Sequence, residues 1–77
     1  MKLEIISPSE VMFSGEAEAV TLPGVNGKFT VLNNHASLIS VLKEGVVRYL
    51  QNGEEHTVDI RGGLADIDLN KIAVCVY

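Results

Sequence analysis

Along most of this chain apolar and polar residues alternate with a period of two, the spacing of a strand that is buried on one face only. Leu3 to Ile6 opens the series. Ser7-Pro8-Ser9-Glu10 interrupts it as a turn, because Pro8 lacks the N–H that a central ladder position needs. Val11-Met12-Phe13 predicts a second strand that ends at Ser14-Gly15. Glu16 to Leu22 mixes charged and small residues ahead of Val20 and Leu22, which predicts a half-exposed strand. Pro23 to Gly27 reads as a tight turn, and Lys28 to Leu32 as the strand that follows it.

The second half repeats the pattern after a break at Asn33-Asn34-His35. Gly45 to Gln51 is a strand, Asn52-Gly53 a hairpin turn, and Glu54 to Ile60 the return strand. His56, Val58 and Ile60 share one face of that strand, and Thr57 and Asp59 the other. Arg61-Gly62-Gly63 turns again into Leu64 to Leu69, where Ala65, Ile67 and Leu69 face one way and Asp66 and Asp68 the other. Asn70-Lys71 is a last tight connection before Ile72 to Tyr77. Only Ala36 to Leu42 escapes the rule. Ala36, Leu38, Ile39, Val41 and Leu42 occupy both parities. The run is the one stretch with a helical option, yet it is too short for a helix that stands alone. As a strand it cannot hide all these side chains on one side. Either both sides are covered internally or some of them wait for a partner.

These elements predict an all-β fold, a flattened β-sandwich or barrel of about eight to ten short strands, with residues 1–77 as a single domain. A domain this small buries only about 60% of its unfolded surface, so its core is modest. Aromatic residues are few, namely Phe13, Phe29, Tyr49 and Tyr77. The core therefore falls to Val, Ile and Leu, whose branching favours strands.

The formal net charge is −4, and the six Lys and Arg are scattered. That argues against nucleic acid or anionic lipid as direct partners, since both require clustered cations. Glu4 breaks any apolar targeting core at the start, so no leader peptide is expected. No apolar run approaches the ~20 residues that span a bilayer. Cys75 is the single cysteine and has no intramolecular disulfide partner. Between Val74 and Val76 it is either a small buried hydrophobe or an outward side chain of the last strand.

Candidate chemistry is sparse. His35 and His56 are far apart in sequence and neither has a metal-ligand spacing. No nucleophile–base–orienter set can be assembled. Gly24-Val25-Asn26-Gly27 lacks the Lys-Ser/Thr pair and following helix of a phosphate cradle. No catalytic residue, cofactor or metal is expected.

A longer pattern is more telling. Gly24-x-x-Gly27-x-Phe29-x-Val31-Leu32-x-x-His35-Ala36-x-Leu38, closed by Lys43-x-Gly45, resembles the core signature of the epsilon subunit of F-type ATP synthases. Phe13-Ser14-Gly15-Glu16, Gly62-Gly63 and Asn70-Lys71-Ile72-Ala73-Val74 match further pieces of that family in the same order. The likeness covers the N-terminal β domain only. It implies a coupling part of the central stalk, held by the gamma subunit on one surface and by the c-ring at one end. It also implies a peripheral place on the cytoplasmic side of a bacterial cell membrane, reached only through the complex. By the resemblance, His35, Ala36, Leu38, Ile39 and Ser40 are candidates for the gamma contact, and Val25, Asn26, Gly27 and Lys28 for the c-ring contact. A turn role for His35 and a solvated loop lysine for Lys28 stand beside those readings. The family continues into a two-helix hairpin linked to inhibition, which these residues do not include, so inhibition by that hairpin is not expected of them.

The chain departs from the family pattern at several points. Asn33-Asn34 and Ser37 stand where the family has Pro-Gly and Pro around the histidine, and Glu44 replaces a common Pro. Asn tolerates left-handed backbone, so the turn survives, but with less stiffness. Lys28 stands where many members are acidic, which suits an acidic or neutral ring loop. Two rivals come from other classes. One is a biotinyl- or lipoyl-carrier domain with Lys71 as the modified lysine, although only six residues follow it. The other is a generic β-sandwich adaptor. Arg48 and Glu44 are also near enough in sequence to pair across a turn, although an exposed pair contributes little.

Overall fold

The computed structural model describes residues 1–77. Nine strands follow one another: β1 (Lys2–Ile6), β2 (Val11–Glu16), β3 (Ala19–Gly24), β4 (Gly27–Val31), β5 (His35–Leu42), β6 (Gly45–Gln51), β7 (Glu54–Ile60), β8 (Gly63–Leu69) and β9 (Lys71–Val76). They form one curled sheet in the order β2-β1-β9-β8-β5-β3-β6-β7, with β4 attached to β3. All pairs are antiparallel except β1 with β9, which lie parallel from Lys2 opposite Lys71 to Ile6 opposite Cys75. The all-β half-barrel matches the expectation from the alternating pattern.

The curl encloses a dry core. Leu3, Ile5, Val20, Leu22, Val31, Val47, Ile67, Ile72 and Val74 are fully buried, and no polar or charged residue is buried with them. Six or seven such side chains at about 1.5–3 kcal/mol each already rival the whole stability of an ordinary domain before entropy is subtracted. Phe13 and Phe29 pack against this core. The Phe13 ring meets Tyr49 with centroids 4.4 Å apart, and Tyr49 stacks on His56 at 5.3 Å. Those contacts bring the β2 edge over β6. Two polar links hold it there: the Gln51 amide donates to the Glu16 carbonyl at 3.1 Å, and the Asn52 N–H donates to the Glu18 carboxylate at 2.9 Å.

Turn chemistry follows the residues. Asn52 and Gly53 take φ of 52° and 80°, the paired positive values of a type I′ hairpin. Asn34 has φ 63°, so it supplies the left-handed backbone before β5. At Gly63 an added Cβ would run into the Cys75 carbonyl, so only glycine lets β8 close on β9 here.

Several local expectations are corrected. Ala36 to Leu42 is not helical: it extends β5, which pairs with β8 from Leu38 opposite Ile67 to Leu42 opposite Gly63. Glu16 belongs to β2, and β3 begins only at Ala19. The turn around Asn26 is shorter than expected because Pro23 and Gly24 remain in β3. Pro23 is tolerated since its carbonyl side faces Lys43 N–H beyond the end of the β3–β6 pairing, where no ladder donor is required. Leu69 does not face inward with Ala65 and Ile67. It takes φ 39° at the turn into β9 and is exposed. Arg48 pairs with Glu55 at 3.8 Å on the facing strand rather than with Glu44.

Candidate docking face

The outer face of the β5-β8-β9-β1-β2 half is built from cross-strand rows. Register places Val41 opposite Leu64, Leu64 opposite Cys75, Cys75 opposite Ile6, and Ile6 opposite Val11. Every member of this row is apolar or a thiol. Val41 is 54% exposed, Leu64 45% and Val11 61%, so the row faces solvent rather than the core. With strands about 4.8 Å apart, it runs roughly 19 Å across the sheet. Cys75 is an exposed free thiol, which decides between the two readings of its place in β9.

The rows change character along the strands. The next one is Ile39, Asp66, Ala73, Glu4 and Ser14, in which Ile39 stands out at 66% exposed. Beyond it lie Asp68, Lys71, Lys2 and Glu16, with Ser37 donating to Asp68 at 2.7 Å and Lys71 paired with Glu4 at 3.7 Å. One end of the face is thus apolar and the other charged. An apolar patch rimmed by polar residues is the ordinary form of a protein contact site.

The residues singled out in the sequence are distributed over this frame. Ile39 lies on the outer face between the apolar and charged rows. Ala36 is exposed next to an irregularity in the β5–β8 register. Leu38 and Ser40 have the inward parity of buried Leu42, although Leu38 is still partly open to solvent. His35 begins β5 at the far end, with its Nδ1 within 2.7 Å of the Ala36 carbonyl, so its ring serves the local backbone. Val25, Asn26, Gly27 and Lys28 form the exposed tip of the β3–β4 hairpin at the opposite end of β5. The two candidate groups therefore sit towards different ends of the body and meet only where β5 ends. Sequence reasoning missed Ile6, Val11, Leu64 and Cys75. Their outward parity was readable strand by strand, but their alignment depends on register.

Elsewhere the surface offers only open clefts. The larger ones measure about 330 Å³. No group of three metal-ligating side chains gathers, and no buried side-chain polar atom lacks a hydrogen-bond partner. Lys71, the residue on which a carrier-domain reading rested, starts β9 and is engaged with Glu4.

Fold and face together define a class: an all-β half-barrel with a dry core and an apolar row laid across one outer face, the form of a small β-sandwich domain. The chain belongs to one particular family of that class, the ATP synthase Delta/Epsilon chain beta-sandwich domain, whose model matches residues 1–77. A relative in Desulfitobacterium hafniense, an ATP synthase epsilon chain, is 40% identical over 72 residues, covering 94% of this chain and 54% of the relative. Another epsilon chain, from Chlorobaculum tepidum, is 44% identical over 70 residues, covering 90% of this chain and 80% of the relative. The chain thus spans little more than half the length of several relatives it matches. Among solved structures, a chain of the Euglena gracilis mitochondrial ATP synthase, in an assembly of OSCP, F1 and c-ring, superposes with a TM-score of 0.90 at 21% identity over 96% of this chain and 48% of that one. A chain of the Tetrahymena thermophila ATP synthase central stalk and c-ring gives 0.81 at 12% identity, over 97% of this chain and 61% of that one. At such identities these two likenesses concern the fold.

Proposed function

We propose that these residues act as one non-catalytic β domain of an ATP synthase epsilon chain, coupling rotation of a c-ring to a gamma shaft and the catalytic head. The observation that carries the reading is the in-register apolar row on a body whose family is that of the ATP synthase Delta/Epsilon chains. Coupling requires a body that does not deform under torque. A curled sheet with a dry core and many cross-strand hydrogen bonds supplies that stiffness. The outer face bearing Ile39 and the apolar row takes the gamma subunit, with Ala36 and the exposed part of Leu38 at its margin and His35 and Ser40 shaping the strand beneath. The hairpin tip from Val25 to Lys28 takes the ring.

On this reading the domain needs no active site and binds neither nucleic acid nor lipid. Its place is peripheral, on the cytoplasmic side of a bacterial membrane, reached through its partners. No helix is long and apolar enough to cross a membrane. The test is functional reconstitution. Membrane vesicles whose ATP synthase lacks its epsilon chain are supplied with the full chain, and ATP-driven proton pumping is compared with ATP hydrolysis. Restored pumping per ATP hydrolysed is the expected result. Hydrolysis with no gain in pumping, despite a folded chain, overturns the proposal.

A further inference from the structure

Three strands of the curled sheet have a neighbour on one side only: β2 pairs with β1 alone, β4 with β3 and β7 with β6. An open strand edge offers a row of backbone donors and acceptors to another chain. The β2 edge is blunted. Its register shifts between Ile5 and Ile6, its Phe13 ring lies on Tyr49, and the Gln51 amide already takes the Glu16 carbonyl. The β3–β4 and β6–β7 ladders run without a bulge, so β4 and β7 keep straight, usable edges.

Alternation within antiparallel ladders fixes which residues use those edges. The Val25 N–H donates to the Val41 carbonyl and the Lys43 N–H to the Pro23 carbonyl, both at 2.9 Å. These bonds flank Gly24 opposite Leu42, so the polar groups of Gly24 itself turn the other way, towards Gly27. Lys28 opposite Pro23 and Thr30 opposite Thr21 then point their N–H and C=O groups away from β3. In the β6–β7 hairpin the pair beside the Asn52-Gly53 turn, Gln51 and Glu54, is the hydrogen-bonded one. Glu55, Thr57 and Asp59 therefore face outward from β7. The two edges carry opposite charge: β4 offers Lys28, and β7 offers Glu55 and Asp59. Lys28 and Asp59 are both exposed and make no ion pair.

We infer that β7 of one copy of this chain adds antiparallel to β4 of a second copy, with Thr57 opposite Thr30 and Asp59 opposite Lys28. In that register the outward donors and acceptors of both edges meet, and Lys28 gains a carboxylate that has no partner within its own chain. Val58 falls opposite Phe29. Both are half-buried against the core, so the pairing covers the apolar surface that each edge leaves wet. The outer row of Thr30, Thr21, Arg48 and Thr57 then runs on into Thr30 of the next copy. Pairing of like edges does worse. β7 on β7 about Thr57 sets Glu55 against Asp59 twice, and β4 on β4 gives Lys28 no acid to face. Because the two joined edges differ, each copy still has one of each to offer, and the contact repeats head to tail. The pairing belongs to the chain outside the stalk and stands apart from the partners assigned above.

Charge exchange in the full chain tests this. The variants are Lys28→Asp, Asp59→Lys and Thr57→Pro, compared with the unaltered chain by sedimentation velocity at rising concentration in low salt. Urea melts confirm the fold, and all three positions are exposed. The unaltered chain is expected to form oligomers that grow with concentration. Each charge variant alone should associate about 2- to 30-fold more weakly, because an attractive cross-strand pair becomes a repulsive one. Mixed in equal amounts, the two charge variants should recover the original association, since the altered edge of each meets the opposite charge on the other. Thr57→Pro removes an outward N–H without touching the β6 ladder, and should leave folded monomers. A chain that stays monomeric throughout overturns the pairing. So does association that neither charge variant weakens, or a mixture that fails to recover it. These results are read without gamma or ring subunits, so they leave the stalk reading where it stands.

Discussion

Ile39 offers the sharpest perturbation, because its outward exposure separates binding from folding. Fully burying an isoleucine side chain contributes about 1.5–3 kcal/mol. In the free chain 66% of Ile39 is still wet, so covering it by a partner is worth roughly 1–2 kcal/mol. Ile39→Ala should then weaken gamma binding about 5- to 30-fold, since each 1.4 kcal/mol is a factor of ten. Ile39→Asp adds a carboxylate that must be desolvated without a partner, at about 1–3 kcal/mol more, for a total loss of roughly thirty- to several-thousand-fold. The free fold has little to lose. The new carboxylate would stand opposite Asp66 across the β5–β8 ladder, a like-charge pair costing about 0.2–1 kcal/mol. Ile39→Lys inverts that term, since lysine opposite Asp66 is attractive, and it should keep or raise stability while still weakening binding. Urea melts of the free domain give the folding side, and titration calorimetry with purified gamma subunit gives the other. Binding unchanged within about twofold for Ile39→Asp, with a normal melt, refutes the assignment of this face.

Other outcomes follow from the same geometry. Gly63→Ala drives a Cβ into the Cys75 carbonyl and must part β8 from β9, at a cost of about 1–3 kcal/mol or more by urea denaturation. Leu22→Ala opens a cavity in the centre of the core and should cost about 2–5 kcal/mol in the same assay. Gly53→Ala forces a side chain onto φ 80° and should cost about 1–2 kcal/mol without any contact being lost. Cys75 should react readily with a thiol reagent in the free domain and be protected many-fold once gamma is bound, since it lies within the apolar row.

How far the sequence reached depended on the range of the interactions involved. Strand identity was local, so Gly45 to Gln51, the Asn52-Gly53 turn and Glu54 to Ile60 were all legible from alternation and turn chemistry. Boundaries were less so. Pro23 looked like the start of a turn because Gly24, Asn26 and Gly27 follow it, but the β3–β6 pairing has already ended there, so its missing donor is tolerated inside β3, and only the fold could reveal that. Leu69 obeyed the period of two on paper and broke it in space because the next residue had to turn. The two-sided apolar run of β5 left its answer open between internal cover and partner cover, and the structure divides it: Leu42 goes inward and Ile39 and Val41 go outward. The apolar row was not legible at all. Val11, Ile6, Cys75, Leu64 and Val41 come from five strands, and a slip of one residue in any pairing would scatter them to opposite faces. The family resemblance supplied the expected surfaces, and register supplied the residues that build one of them.

The central claim is that this β body is held by a shaft and a ring. It is tested most directly by purifying the full tagged chain from native membranes under mild detergent and quantifying what comes with it. The account predicts gamma and ring subunits in stoichiometric amounts, with gamma lost and the chain still folded when Ile39 carries a charge. A folded chain recovered without gamma from membranes that contain intact ATP synthase would contradict it.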